Sequence, residues 1–204
     1  FIQKTQAYLQ ETYYTDGDFN YEDYDQIINE ANFNRLKRLF DDAVAKGAQV
    51  VIGGVFDEKL RRIQPTVLTN VPLDAAIMKE EIFGPLLPIV NYSTKEEAIE
   101  IVRSIEKPLG MYVFSYDDEF TDYIIRNTTS GGVTVNDTMT HAFDPAIPFG
   151  GVNQSGIGKG YGKYGFQELS NARAVVYQSP DFPNDEFFKP PYAGKTEIIL
   201  EGLK

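Results

Sequence analysis

The bend at Gly84-Pro85 constrains the path of this chain more than any other local feature of the sequence. Glycine permits backbone angles that other residues avoid and proline fixes φ, so the chain must turn sharply here. The apolar run 86–90 that follows is typical of a short buried strand. Glu81 and Phe83 precede the bend, and a carboxylate beside a phenyl ring suits a sugar hydroxyl and a flat heterocycle. The alternative is an acidic turn with one core phenylalanine, which composition alone favours.

Segments with helical periodicity alternate with short apolar segments along most of the chain. Amphipathic helices are predicted at residues 1–14, 31–45, 95–105 and 117–127, and strands at 49–52, 62–68, 86–90, 111–114 and 133–136. Such alternation is typical of an α/β layer, in which helices cover the faces of a sheet with parallel strand pairs. The sequence therefore predicts an α/β fold with a mostly parallel sheet and flanking helices.

Charge and composition exclude several classes of function. The chain has 204 residues, of which 30 are acidic and 19 basic, and its net charge of −11 repels nucleic acid and anionic membranes. No apolar run approaches the roughly 20 residues of a membrane-spanning helix. The chain contains no cysteine, which excludes disulfides, thiolate metal sites and a cysteine nucleophile among these residues. One histidine, His141, is too few for a histidine-rich metal site, and a single loop histidine is more often structural than catalytic.

Glycines are concentrated between residues 150 and 165. This density predicts backbone with positive φ or close approach between chain segments. A phosphate-binding loop is the functional alternative, because glycine-rich loops with lysine hold phosphates at helix N-termini. The sequence argues against that alternative, since no Gly-x-Gly-x-x-Gly lies cleanly between a strand and a helix and no Gly-Lys-Ser/Thr occurs.

Several motifs resemble, in the correct order, signatures of the aldehyde dehydrogenase superfamily. They are Glu-Glu-Ile-Phe-Gly-Pro at 80–85, Ser-Gly-Gly-Val-x-x-Asn-Asp at 130–137, Pro-Phe-Gly-Gly at 148–151 and Ser-Gly-x-Gly at 155–158. The Asn-Asp-x-x-x-His segment that ends at His141 is similar to class 3 members, which include enzymes that oxidise fatty and medium-chain aldehydes. The resemblance extends to about residue 178 and implies the C-terminal portion of the catalytic domain.

The resemblance also implies roles for particular residues. In this family the second glutamate of the turn hydrogen-bonds the nicotinamide ribose and the phenylalanine packs against the nicotinamide, which makes Glu81 and Phe83 the expected contacts of NAD or NADP. The loop after strand 133–136 lines the family's substrate tunnel. The expected substrate-binding residues are Asn136, Met139, Phe143 and Phe149. Tyr161 stands where mammalian class 3 members often have histidine, and this departure leaves the aldehyde unassigned.

The implied reaction is NAD(P)-dependent oxidation of an aldehyde to a carboxylic acid. In the family a cysteine attacks the carbonyl, hydride passes to the nicotinamide, and a glutamate activates water to hydrolyse the thioester. Those groups and the dinucleotide-binding region lie upstream in the family, so we expect no catalytic residue here. The expected partner is the N-terminal half of the same polypeptide, without which the chain is expected to be inactive. A stable non-catalytic remnant or an interaction module is the alternative.

Two regions are predicted: residues 1–170 as part of the catalytic domain, and residues 171–204 as a strand followed by a proline-rich tail with little regular structure. The β-branched segment Ala172–Tyr177 resembles the strand through which family members join subunits. Because an exposed apolar strand edge is costly unless paired, we expect a homo-oligomer, most simply a dimer. The resemblance implies an intracellular location, cytoplasmic or peripheral to an organelle membrane.

Overall fold

The computed structural model describes residues 1–178 and 189–202. The helices are α1 Ile2–Tyr13, α2 Glu30–Ala45, α3 Lys95–Arg103, α4 Asp118–Asn127, α5 Thr140–Phe143, α6 Gly162–Glu168 and α7 Lys195–Gly202. The strands are β1 Tyr14–Thr15, β2 Asp18–Phe19, β3 Gln49–Ile52, β4 Phe56–Asp57, β5 Arg62–Ile63, β6 Thr66–Thr69, β7 Leu86–Pro88, β8 Gly110–Val113 and β9 Gly132–Val135. The four helices predicted from periodicity correspond to α1–α4.

Helix α2 organises the first half of the structure. The side chain of Asn29 caps its first turn by accepting a hydrogen bond from the Asn32 N–H at 2.8 Å. Gly47, with φ of 107°, lies just beyond its last turn, where glycine commonly ends a helix. The apolar face of α2 supplies three of the most deeply buried side chains, Phe33, Leu36 and Leu39. They pack with Ile63, Leu68 and Leu86 and five other buried residues in one hydrophobic core.

Strand β6 is the centre of a three-stranded sheet. It pairs in parallel with β7, in the register Thr66 opposite Leu86, and antiparallel with β3. A second parallel pair, β8 and β9, is connected through α4 and places Gly110 opposite Gly132. The predicted α/β class is confirmed; an α-helix connects β8 to β9, whereas the segment between β6 and β7 contains a short 3₁₀ turn, Ala76–Met78. The antiparallel pairing of β3 and the two small hairpins, β1–β2 and β4–β5, are details that the alternation of segments does not predict.

The end of the chain differs from the prediction in two respects. Residues 171–178 are not part of a strand, so the predicted strand Ala172–Tyr177 is not formed within this single chain. Val175, Val176 and Tyr177 are 59%, 86% and 91% exposed, and strand hydrogen bonds require a neighbouring backbone that residues 1–178 and 189–202 do not offer them. The tail was expected to have little regular structure, yet it contains helix α7. Residues 179–188 of the tail lie outside the described part of the chain.

Candidate functional site

Residues 80–85, which we call the cofactor turn, are fastened to helix α2 through their main chain. The guanidinium of Arg35 donates hydrogen bonds to the carbonyl oxygens of Glu81 at 2.9 Å and Ile82 at 2.7 Å. Charged donors make stronger hydrogen bonds than neutral ones. One side chain on a regular helix therefore holds two successive peptide groups of the turn.

The glycine of the cofactor turn lies directly against the core. A Cβ atom at Gly84 would lie 2.5 Å from Cδ1 of Leu36, a fully buried side chain, so only glycine lets the backbone approach α2 this closely. Phe83, one residue earlier, has φ of 45° and is 82% exposed. A phenylalanine with positive φ and an exposed ring is unusual for a residue whose purpose is packing. The alternative reading as a core phenylalanine is therefore wrong.

The two adjacent glutamates of the cofactor turn have different environments. The carboxylate of Glu80 forms an ion pair with Arg38, at 2.7 Å. The carboxylate of Glu81 has no hydrogen-bond or ion-pair partner among the residues that the structure describes, and its side chain is exposed. Both glutamates line an open cavity of about 1130 Å³ that reaches to the ends of α3 and α4. Of the two carboxylates, that of Glu81 is the one available to a ligand.

A 3₁₀ turn, Ala76–Met78, leads into the cofactor turn and is also fastened to α2. The Ala76 N–H donates to a carboxylate oxygen of Asp42 at 2.7 Å. This hydrogen bond, helped by Lys46, which forms an ion pair with the same carboxylate, holds the pKa of Asp42 below its ordinary value. The approach to the turn is thus fixed through backbone groups, as the turn itself is.

The four residues predicted to bind substrate, which we call the substrate wall, follow β9; they are Asn136, Met139, Phe143 and Phe149. Asn136 has φ of 58°, and its side-chain amide joins both backbone groups of Ser115. Its Oδ1 accepts from the Ser115 N–H at 2.9 Å, and its Nδ2 donates to the Ser115 carbonyl at 2.8 Å. Asn136 therefore fixes the start of the loop, and its amide is occupied by that structural task.

The other three wall residues present apolar side chains. Phe143 is 75% exposed and Met139 is 49% exposed. Phe149 is half-buried, and its ring stacks on that of Tyr161 with centroids 5.2 Å apart. The Tyr112 hydroxyl donates to Sδ of Met139 at 3.2 Å. Except for the polar Asn136, the wall is an apolar surface carried by a loop.

The structure groups the predicted residues in two places. None of the four wall residues lines the cavity beside Glu81. Sequence reasoning gave no role to Arg35 or Tyr112. The contact from the Arg35 side chain to a backbone 46 residues away leaves no local pattern in the sequence.

The glycine-rich segment is packed backbone against backbone. A Cβ at Gly131 would lie 2.3 Å from the Gly150 carbonyl oxygen, which confirms the predicted close approach. The ammonium group of Lys159 donates to the carbonyls of Gly131, at 3.0 Å, and of Gly150. The ammonium group of this lysine is thus engaged by main-chain carbonyls, and the prediction that the segment is not a phosphate-binding loop stays a prediction.

Within residues 1–178 and 189–202, no group of three or more histidine, cysteine, aspartate or glutamate side chains could hold a metal ion. No helix in the same part of the chain is both long and apolar enough to cross a bilayer.

Comparison with known proteins identifies the family. Residues 1–175 match the model of the aldehyde dehydrogenase family, and the chain belongs to this family. The chain is 40% identical over 182 residues to 4,4'-diaponeurosporen-aldehyde dehydrogenase of Staphylococcus aureus, covering 89% of this chain and 39% of that relative. It is 44% identical over 154 residues to aldehyde dehydrogenase family 3 member A2 of Rattus norvegicus, covering 76% and 31%. The resemblance to class 3 is thus confirmed.

Solved structures agree with this assignment. The substrate-bound state of Staphylococcus aureus AldH superposes with a TM-score of 0.77 and 37% identity, over 100% of this chain and 43% of that one. A C291A mutant of Pseudomonas syringae aldehyde dehydrogenase C, solved with NAD+ and octanal, gives a TM-score of 0.68 and 33% identity, over 76% and 32%. The chain spans less than half the length of the relatives and structures that it matches.

Proposed function

We propose that this chain forms the nicotinamide-facing and aldehyde-facing part of an NAD(P)-dependent aldehyde dehydrogenase that oxidises aldehydes to carboxylic acids. The observation that carries the proposal is the cofactor turn, where an unpaired Glu81 carboxylate and an exposed Phe83 ring stand on a backbone held by Arg35. Membership of the aldehyde dehydrogenase family supports the reaction class.

The two side chains suit the two halves of a nicotinamide riboside. A carboxylate accepts hydrogen bonds from neighbouring ribose hydroxyls, and the face of a phenyl ring packs against a flat heterocycle. Glu81 lines the open cavity of about 1130 Å³, whereas Phe83 lies outside its lining, so the support for a riboside is the pair of side chains on the turn and not the cavity volume. When bound, NAD or NADP supplies the hydride acceptor; this chain's contribution is to orient the ribose and the ring. The structure with NAD+ and octanal supports a cofactor of this kind.

The substrate wall supports an aldehyde with an apolar chain. Met139 and Phe143 present exposed apolar side chains on the segment that leads to Phe149, and apolar surface left exposed in one region is a feature of ligand-binding and protein-binding sites. We infer that the wall contacts the hydrocarbon part of the substrate, and that medium-chain and long-chain aldehydes bind better than short ones.

We infer that the nucleophile comes from residues outside this sequence. The 204 residues contain no cysteine, and a family thiolate mechanism therefore cannot be completed by them alone. The 204-residue chain alone is expected to show no aldehyde oxidation, and turnover by the purified chain would contradict this.

A second candidate function is subunit association. The segment that includes Val175, Val176 and Tyr177 exposes β-branched and aromatic side chains and has no strand partner in the described part of the chain. We propose that it pairs with a second copy, giving a homodimer. A dimer mass in sedimentation equilibrium is the expected result, and a monomer mass at the concentrations of an activity assay would contradict it.

The cofactor role is tested by exchanging each glutamate of the turn in the enzyme that contains this sequence. Glu81→Gln removes a charge-assisted hydrogen bond to the ribose, which is worth about 1.5–3 kcal/mol, or roughly 10- to 150-fold in productive cofactor binding or hydride transfer. Glu80→Gln is the matched control, because it removes the same charge from the same turn but breaks only the ion pair with Arg38.

Stopped-flow measurement of NAD(P)H formation, together with cofactor titration, separates the two variants. The proposal predicts a defect in Glu81→Gln that Glu80→Gln does not share. Equal behaviour of the two variants, or unchanged cofactor affinity and hydride-transfer rate in Glu81→Gln, would contradict the assigned role.

A further inference from the structure

His141 is buried behind the substrate wall. It is 8% exposed and lies on α5, a single turn that also carries the wall residue Phe143, which is 75% exposed. His141 and Phe143 are two residues apart on this short turn, and the imidazole is buried in the protein while the phenyl ring is exposed. The buried imidazole and one wall residue are therefore carried by the same turn.

A hydrogen bond fixes the imidazole to the sheet. The distance between Nδ1 of His141 and Oγ1 of Thr134 is 2.8 Å, and Thr134 lies on β9 and is 9% exposed. Because both groups are buried, breaking this bond leaves an unsatisfied polar atom. The bond ties α5 directly to the strand that precedes the wall.

Two glycines leave room for the imidazole on the sheet surface. A Cβ atom at Gly110 would lie 2.9 Å from Cε1 of His141, and one at Gly132 would lie 2.7 Å from its Cδ2. These glycines are directly opposite each other in β8 and β9. The ring therefore lies directly on the backbone of the parallel pair, where no other side chain intervenes.

Ring contacts extend from His141 to the other wall residues. Its centroid is 5.9 Å from that of Phe149 and 5.8 Å from that of Tyr112. The Tyr112 hydroxyl in turn donates to Sδ of Met139. One buried imidazole thus fixes three of the four wall residues: Phe143 through the helix turn, Phe149 by ring contact and Met139 through Tyr112.

We propose that His141 is the positioning residue of the substrate wall, and that its hydrogen bond to Thr134 sets the preference among aldehydes of different chain length. The inference rests on the proposed function of the wall. His141 does not contact the substrate in this account; it acts through Met139, Phe143 and Phe149. Its effect belongs to substrate selection and not to the chemical step.

The test is Thr134→Val in the enzyme that contains this sequence, because valine keeps the shape of threonine and removes only the hydroxyl. The readout is the ratio of kcat/KM for octanal to kcat/KM for acetaldehyde, which a general loss of stability does not change. Losing one buried hydrogen bond is expected to lower this ratio about 3- to 10-fold, through KM for octanal, with KM for the cofactor unchanged.

Thr121→Val is the matched control. Thr121 lies in α4, which carries no wall residue, and is 8% exposed, close to the exposure of Thr134. Its hydroxyl donates to the carbonyl of Asp117, the residue that caps α4, so the same substitution is made at a similarly buried threonine away from the wall. Thr134→Ser keeps the hydroxyl and should retain the wild-type ratio. His141→Asn places an amide where Nδ1 stood but loses the ring contacts, and should lower the ratio as well.

The outcomes separate this inference from the function on which it rests. Equal loss of activity toward both aldehydes in Thr134→Val and His141→Asn, or a ratio matched by Thr121→Val, would overturn the positioning role and leave the dehydrogenase proposal intact. Absence of aldehyde oxidation by the wild-type enzyme would overturn the proposed function, and this inference with it.

Discussion

The cofactor turn and the substrate wall are held in place by different kinds of contact. The turn is fixed through its main chain, by Arg35 on two carbonyl groups and by the approach of Gly84 to Leu36. The wall is fixed mainly through side chains, by the imidazole of His141 and the amide of Asn136.

This difference has a consequence for what each region can vary. A backbone clamp leaves the side chains of Glu81 and Phe83 free for a ligand whose structure does not change. A wall supported by side-chain packing changes shape with each core substitution beneath it, because close-packed interiors transmit small changes in volume. If the two regions have the proposed roles, substitutions beneath the wall adapt it to different aldehydes while the cofactor turn stays the same.

The largest effect is expected when the backbone clamp of the turn is removed. Arg35→Met keeps most of the aliphatic stem and deletes both hydrogen bonds to the carbonyls of Glu81 and Ile82. The free energy of unfolding should fall by about 1.5–3 kcal/mol, since hydrogen bonds that involve a charged group contribute this much. Urea unfolding of the purified protein, followed by circular dichroism, measures it.

Arg38→Met is the control for this prediction, because Arg38 lies one turn further along α2 and contacts the same cofactor turn. Its partner is the exposed side chain of Glu80 and not the backbone, and exposed ion pairs contribute about 0–1 kcal/mol. If Arg38→Met destabilises the protein as much as Arg35→Met does, the turn is not held through its main chain.

A smaller effect is expected at the start of the wall. Asn136→Ala removes both hydrogen bonds to the backbone of Ser115 and places a less suitable residue at φ of 58°. Thermal or urea unfolding should report a loss of about 1–2 kcal/mol. Asn136→Gly keeps the backbone angle accessible and loses only the hydrogen bonds, so a glycine variant as stable as the wild type would contradict the role given to the amide.

The smallest effect concerns the approach to the turn and depends on pH. The pKa of Asp42 is lowered in the folded protein by the Ala76 N–H, so Asp42 stabilises the fold above its unfolded pKa of about 3.9 and loses this effect as the pH falls through the lower folded value. The difference in stability between wild type and Asp42→Asn should therefore be constant above about pH 5 and shrink toward pH 2.

Asp41→Asn is the control, since Asp41 forms only an exposed ion pair with Lys37. Denaturant unfolding at a series of pH values decides the comparison. A difference between wild type and Asp42→Asn that grows on acidification would contradict the account.

Sequence reasoning succeeded where the determining contacts are local. The periodicity that buries Phe33, Leu36 and Leu39 lies within one helix, and the Gly84-Pro85 bend requires no knowledge of the rest of the chain. The predicted strand Ala172–Tyr177 does not form within the single chain, because strand propensity indicates a backbone that can pair but not whether a partner strand is present; its pairing with another subunit stays a prediction. Sequence reasoning also missed α7, in a tail whose proline and acidic residues suggested irregular structure.

The sequence names residues for the candidate site but not the contacts that support them, and the roles given to those residues stay predictions. Family resemblance selected Glu81 over Glu80, and the structure supplies a physical reason, since Arg38 occupies the other carboxylate. The residues around His141 in the sequence do not show that its imidazole lies on the glycines of two strands. Gly110 is 31 residues away in the sequence, and Gly132 belongs to the motif at 130–137, which by itself indicates no contact with a histidine. Contacts between residues from different elements do not produce the regular spacing of apolar residues by which helices and strands are recognised in a sequence.

A structure of the enzyme with NAD(P) bound is the decisive test of the cofactor role proposed for Glu81 and Phe83. We expect a carboxylate oxygen of Glu81 within about 2.6–3.2 Å of a nicotinamide-ribose hydroxyl, and the ring of Phe83 in van der Waals contact with the nicotinamide at about 3.5–4.0 Å. A ribose held by Glu80 instead, or a nicotinamide bound away from Phe83, would contradict it.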